Sequence, residues 1–171
     1  MKKAARFFLA LTLLVSSMIL IVSCTKDEET PGEFYMRFKA NGTLVEYTNQ
    51  LGLTAGFAQS GNQHVGTISG WNDASSNFSL LLYDLEPITE KTYSGYTATV
   101  DGVVGVLFAH KEKETGVVFS SGVDAEFDAT TTITEMNETG VKGTFRGTIK
   151  AAGQSDISIT EGSFFVKRAL N

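Results

Sequence analysis

The chain has 171 residues and a formal charge of −5, with hydrophobic residues at 42% and charged residues at 19%. That balance excludes a wholly disordered or collagen-like chain and leaves room for one ordinary domain. A single Cys excludes an internal disulfide framework, and two His leave little for a histidine-built metal site.

From the amino terminus, Lys2, Lys3 and Arg6 precede an apolar run from Phe7 to Val22, interrupted only by Thr12, Ser16 and Ser17. The run falls short of the roughly twenty residues a spanning helix needs. Residues 1–23 therefore read as a signal peptide with a basic start and a hydrophobic centre. Ile21-Val22-Ser23-Cys24 ends it and resembles the lipobox of bacterial lipoproteins. The resemblance implies cleavage before Cys24, a diacylglycerol on its thiol and a further acyl chain, such as palmitate, on the new amine. Two or three chains anchor stably where one anchors only marginally.

Cys24 and the stretch to Gly32 form a charged tether, ended by the structure-breaking Thr30-Pro31-Gly32. Lys26-Asp27-Glu28 resembles the acidic export tag of surface lipoproteins in Bacteroidota, which implies the outer membrane and exposure at the cell surface. Loss of Lys2, Lys3 and Arg6 with the signal leaves the remainder more acidic still. An acidic surface argues against nucleic acid as a partner, because phosphate binding needs Lys and Arg.

Residues 33–171 read as a single all-β domain. Phe34, Met36, Phe38 and Ala40 alternate with polar residues, and Asn41-Gly42 then predicts a tight hairpin into 43–47. Further strands are expected over 63–71, 77–85, 103–110, 130–136, 141–150, 155–160 and 162–167, with weaker signals over 51–60 and 88–100. Breaks fall at Asn72-Asp73, Lys111 to Gly116, Asn137 to Gly140 and Ala152-Gly153. The run Lys111-Glu112-Lys113-Glu114 suits a solvated hairpin tip. The clearest alternation is 141–150: Val141, Gly143, Phe145, Gly147 and Ile149 share one face, and Lys142, Thr144, Arg146, Thr148 and Lys150 the other. The glycines flanking Phe145 leave space for a facing ring or a second chain. Eight to ten short strands predict an antiparallel β-sandwich or a small β-barrel.

The stretches Val141-Lys142-Gly143-Thr144-Phe145-Arg146-Gly147-Thr148 and Ile159-Thr160-Glu161-Gly162-Ser163-Phe164 resemble the ending of small uncharacterised lipoproteins of Bacteroidota. The resemblance implies a β-sandwich and a surface location, and it transfers no catalytic residue.

Candidate chemistry is sparse. Ser-Gly pairs occur at Ser60, Ser69, Ser94 and Ser121, none within a G-x-S-x-G elbow, so turn chemistry accounts for them. His64 and His110 are the available imidazoles, and their spacing asks for no partner. Asp124, Glu126 and Asp128 share one strand face and are a weak calcium candidate; three like charges on an edge also discourage edge-to-edge pairing. Asn41, Asn77 and Asn137 stand in N-x-S/T sequons, and Asn41 and Asn137 suit turns. Trp71, Tyr93 and Tyr96 lie near strand ends and are the possible ligand-binding rings, although each taken alone suits a core. No cofactor is expected. The resulting expectation is a non-enzymatic surface module binding a glycan or a protein. The alternatives are a lipocalin-like barrel carrying a small apolar ligand and a structural subunit using strand addition.

Overall fold

The computed structural model describes residues 33–73, 76–122 and 128–169. Cys24, Asp124 and Glu126 lie outside the described residues. The described chain is all-β and contains no helix. Twelve strands follow in chain order: β1 (Tyr35–Ala40), β2 (Thr43–Tyr47), β3 (Thr54–Ser60), β4 (Gln63–Asp73), β5 (Ser76–Asp84), β6 (Thr92–Ser94), β7 (Tyr96–Ala98), β8 (Val103–Lys111), β9 (Val118–Ser120), β10 (Thr130–Met136), β11 (Gly140–Ile149) and β12 (Ile157–Arg168).

All belong to one sheet in the order β6-β10-β11-β12-β3-β4-β5-β8-β7, with β1 on β12, β2 on β1 and β9 on β8. The expected eight to ten strands become twelve because the segment 88–100 supplies two short ones and 118–120 a third. The expected antiparallel order also has one exception. Lys167 and Arg168 pair in parallel with Thr54 and Ala55, which joins β12 to β3.

The hydrogen-bonded order stays open, so the barrel alternative gives way to a sandwich-like arrangement. Its two ends, β6 and β7, are nevertheless consecutive in the chain. Gly95 separates them at φ +63°, a conformation open to glycine at little cost. Its N–H donates to the Ala129 carbonyl at 3.0 Å, and its own carbonyl accepts from Val106. The segment 92–98 thus leaves one layer and enters the other, pairing first with β10 and then with β8.

Phenylalanine rings from both layers meet in the interior. Phe38 of β1 stands 4.6 Å from Phe78 of β5 between centroids, and Phe145 of β11 stands 5.3 Å from Phe78 and 5.8 Å from Phe108 of β8. Met36, Leu80, Leu82, Val106, Ile133, Ile149 and Phe164 complete a buried core. Each aromatic contact adds roughly 0.5–1.5 kcal/mol beyond burial. The space left at Gly143 is used as the alternation suggests: a Cβ there would lie 2.5 Å from the Phe164 ring and 2.2 Å from the Thr132 carbonyl oxygen.

Turns follow their side chains. Asn41 and Gly42 take φ +47° and +84°, the left-handed pair that a two-residue hairpin requires. The Asn137 Oδ1 accepts from the N–H groups of Thr139 and Gly140 and so makes the β10–β11 turn. Lys111 pairs with Val118, placing the charged run 111–114 at the β8–β9 hairpin tip.

The two predicted strands 155–160 and 162–167 are one strand. Between Ser163 and Thr160 β12 spends one more residue than β1 does between Arg37 and Lys39, and β11 sees the same excess between Phe145 and Gly147. This bulge changes the inward parity from Ile159 to Gly162, Phe164 and Val166. Two alternations out of phase are its sequence image.

Candidate binding face

Residues that point outward from β6, β10, β11, β12 and β1 form the most organised polar surface among the described residues. The ladders align Thr92 with Thr132, Thr132 with Thr144, Thr144 with Ser163 and Ser163 with Arg37. Neighbouring strands lie about 4.8 Å apart, so this is a transverse row of hydroxyls at strand spacing, ending in a guanidinium. The hydroxyls of Thr92 and Thr132 are 2.9 Å apart, and Arg37 Nε donates to Ser163 Oγ at 3.3 Å. Next to it, Ser94 stands opposite Thr130 and Thr130 opposite Arg146.

A cleft of about 620 Å³ lies over these rows, lined by Thr92, Thr130, Thr132, Thr144, Arg146 and Ser163 among others. A smaller one of about 290 Å³ shares Thr130 and Arg146 and continues to Thr148, Ser158 and Thr160. Thr144 and Arg146 are exposed. The β12 bulge turns Glu161 to φ +53°, outside the usual range for a residue with a side chain, and aims it onto this face. There its carboxylate accepts from Lys39 at 2.7 Å. Asp128 closes the far side by accepting both the N–H and the hydroxyl of Thr148, at 2.7 and 2.8 Å.

The three rings singled out from sequence do not share a surface. Trp71 is 38% exposed and sits where β4 carries an extra residue relative to β5, opposite Asn77. Tyr96 lies half-buried in β7 with its ring edge-on to Tyr83 at 5.6 Å. Asn77 and Tyr83 are six residues apart in β5, which places Trp71 and Tyr96 about 20 Å apart along the strand. Tyr93 is a core residue: its ring is buried, its hydroxyl bonds both backbone groups of Thr89, and Lys91 lies 5.1 Å over the ring.

The other candidates resolve as follows. Asp128, the described member of the acidic trio, is engaged by Thr148. Among the described residues no three His, Cys, Asp or Glu side chains gather into a metal set. His110 is buried between Phe38 and Phe78, and its Nδ1 donates to the Asn77 carbonyl at 2.8 Å. His64 faces Asp84 across the β4–β5 ladder, and Asp84 is itself paired with Lys91. Burial pushes the Asp84 carboxyl upward, but the Lys91 ammonium and the N–H groups of Glu86 and Leu85 outweigh it and hold the group below the ordinary carboxylate range.

The hydroxyl face was half visible in the sequence. Thr144, Arg146 and Thr148 alternate on the outer side of 141–150, as do Thr130 and Thr132 on the next strand back. Their alignment into a row depends on inter-strand register, which one strand's pattern does not carry. The chain matches no family model, no curated protein and no solved structure.

Proposed function

We propose that this chain is a lipid-anchored cell-surface protein of the outer membrane, held through Cys24, whose β domain is a non-enzymatic module that binds a glycan. The lipobox-like Ile21-Val22-Ser23-Cys24 and the acidic tether support the location. The row of hydroxyls from Thr92 through Thr132 and Thr144 to Ser163, with Arg146 beside it, carries the binding reading. Hydroxyls at strand spacing donate and accept in alternation, as the hydroxyls of a sugar chain do, and a guanidinium can bridge two neighbouring ones. A protein interface would want an apolar, aromatic centre instead. The filled interior of phenylalanine rings supports a surface binder over a carrier of apolar ligands.

Two measurements test this. Cys24→Ala should release the chain from the membrane fraction, and unchanged retention would defeat the anchor. Affinity electrophoresis of the mature chain through gels containing neutral or acidic polysaccharides tests the face. At least one polysaccharide should retard it, and Thr132→Val with Thr144→Val and Arg146→Ala should weaken that retardation tenfold or more. Retardation by none, or retardation that survives the triple substitution, would remove the glycan reading.

A further inference from the structure

The end of the domain where the tether joins carries a second feature. The loop between β2 and β3 is fixed there on three sides. Asn72 accepts the N–H groups of Thr48 and Asn49 at 3.0 and 3.2 Å and donates to the Glu46 carbonyl at 3.0 Å. Gln50 donates to the Phe34 carbonyl at 2.9 Å and accepts the Phe34 N–H at 3.2 Å. The Lys167 N–H donates to the Leu53 carbonyl at 3.1 Å.

Beside the exposed Thr48 and Gln50, the loop and the adjoining end of β4 display two apolar side chains. Leu51 is 83% exposed and Trp71 is 38% exposed. The indole lies so close to Gly52 that a Cβ there would come within 2.8 Å of a ring carbon. The loop is therefore built around Trp71, yet the outer part of the ring and nearly all of Leu51 remain in water. Phe34 borders a neighbouring cleft of about 660 Å³ with Thr54, Glu138, Thr139, Lys167, Arg168 and Ala169. Arg168 is held over the Phe57 ring at 5.7 Å and donates to the Asn137 carbonyl, whereas Lys167 is exposed. Exposed Leu and Trp near an exposed Lys is the composition of a surface that meets the headgroup layer: indole at the interface, aliphatic chain below it, the ammonium on phosphate.

The occupant follows from where the chain leads. Glu33 is joined to Cys24 by residues 25–32, which can span at most about 30 Å fully extended. Whatever the tether's conformation, the root at Phe34 is the part of the domain closest along the chain to the acyl groups. We propose that this end of the domain seats on the bilayer, with Leu51 and Trp71 in the interfacial layer and Lys167 towards the lipid phosphates. This rests on the Cys24 anchor proposed above. Seating of this kind sets the orientation of the domain on its lipid anchor.

Trp71 is the chain's single Trp, so its fluorescence reports this surface alone. The mature lipidated chain would be reconstituted into phosphatidylcholine vesicles, with plain or brominated acyl chains, and recovered by flotation. Flotation with Trp71 emission quenched at least twofold by the brominated lipid supports the seating. Flotation with equal emission in both vesicles overturns the seating and leaves the anchor standing. Failure to float overturns the anchor and the seating with it. Leu51→Asp should keep flotation and the thermal unfolding midpoint while losing at least half of the quenching. Full quenching in that variant would overturn the part assigned to Leu51.

Discussion

The strands β10, β11 and β12 have two faces that are made from alternating residues of the same segments and do opposite work. Inside, Ile133, Val141, Phe145, Phe164 and Val166 are closed off from water. Outside, Thr130, Thr132, Thr144, Arg146 and Ser163 line an open cleft. The run Thr130-Thr131-Thr132 puts the contrast into three identical residues. Thr130 and Thr132 face the cleft, whereas Thr131 is fully buried and its hydroxyl has no hydrogen-bond partner among the described residues. The same side chain is thus an asset on one face and a cost on the other. What differs is access to water or ligand, because an unpaired buried hydroxyl forfeits hydration and receives nothing in return.

Substitutions should separate the faces, and the largest effects should come from inside. Phe145→Ala removes the ring that touches Phe38, Phe78, Phe108 and Phe164. It should cost about 3–5 kcal/mol in urea unfolding. A loss under 1 kcal/mol would show that the inner face is not the source of stability. Gly143→Ala forces a Cβ against the Phe164 ring and the Thr132 carbonyl, and should cost about 1–3 kcal/mol by the same measurement.

Thr131→Val keeps the volume and removes the unpartnered hydroxyl, so it should raise the unfolding free energy by about 1 kcal/mol. A decrease would mean the hydroxyl has a partner after all.

Surface charge should matter less. Asp84→Asn breaks the pair with Lys91, whose side chain is 44% exposed, so after solvent screening the loss should stay below about 1 kcal/mol at neutral pH. Because the Asp84 carboxyl is held low in the folded state, its contribution is present above the ordinary value of about 3.9 and is lost as pH falls through the lowered one. The difference between the parent and Asp84→Asn should therefore shrink in acid, and a difference that grows there would reverse the assignment. Smallest of all, Thr144→Val on the outer face should change stability by no more than about 0.5 kcal/mol. A larger loss would make the hydroxyl row a structural element.

Much of the fold could be read from one-dimensional pattern. Alternation at 141–150 named the inner and outer residues of β11, and Asn41-Gly42 named the β1–β2 hairpin, because both depend on neighbours in sequence. Weak signals over 51–60 and 88–100 came from β3, of which only Ala55 is fully buried, and from the three-residue strands β6 and β7, too short for a period to establish itself. The β12 bulge was legible only as two strands, since an extra residue inverts the period of 2. The ring candidates fared unevenly. Nothing in the sequence around Tyr93 distinguishes a ring that closes the core from one that meets a ligand, and burial alone decided it.

By itself, then, the sequence determined that the domain is all-β, which side chains of β1 and β11 alternate inward, and where several of its turns fall. These follow from period, turn chemistry and propensity, which act over a few residues. Only the tertiary structure decided that β12 runs parallel to β3 for two residue pairs, that Gly95 carries the chain between layers, and that Thr92, Thr132, Thr144 and Ser163 stand in one row. Each of these is a matter of register between segments far apart in the chain. Register is fixed where the inner faces interlock, and the outer row is carried into line by the rings on the other side of the same strands.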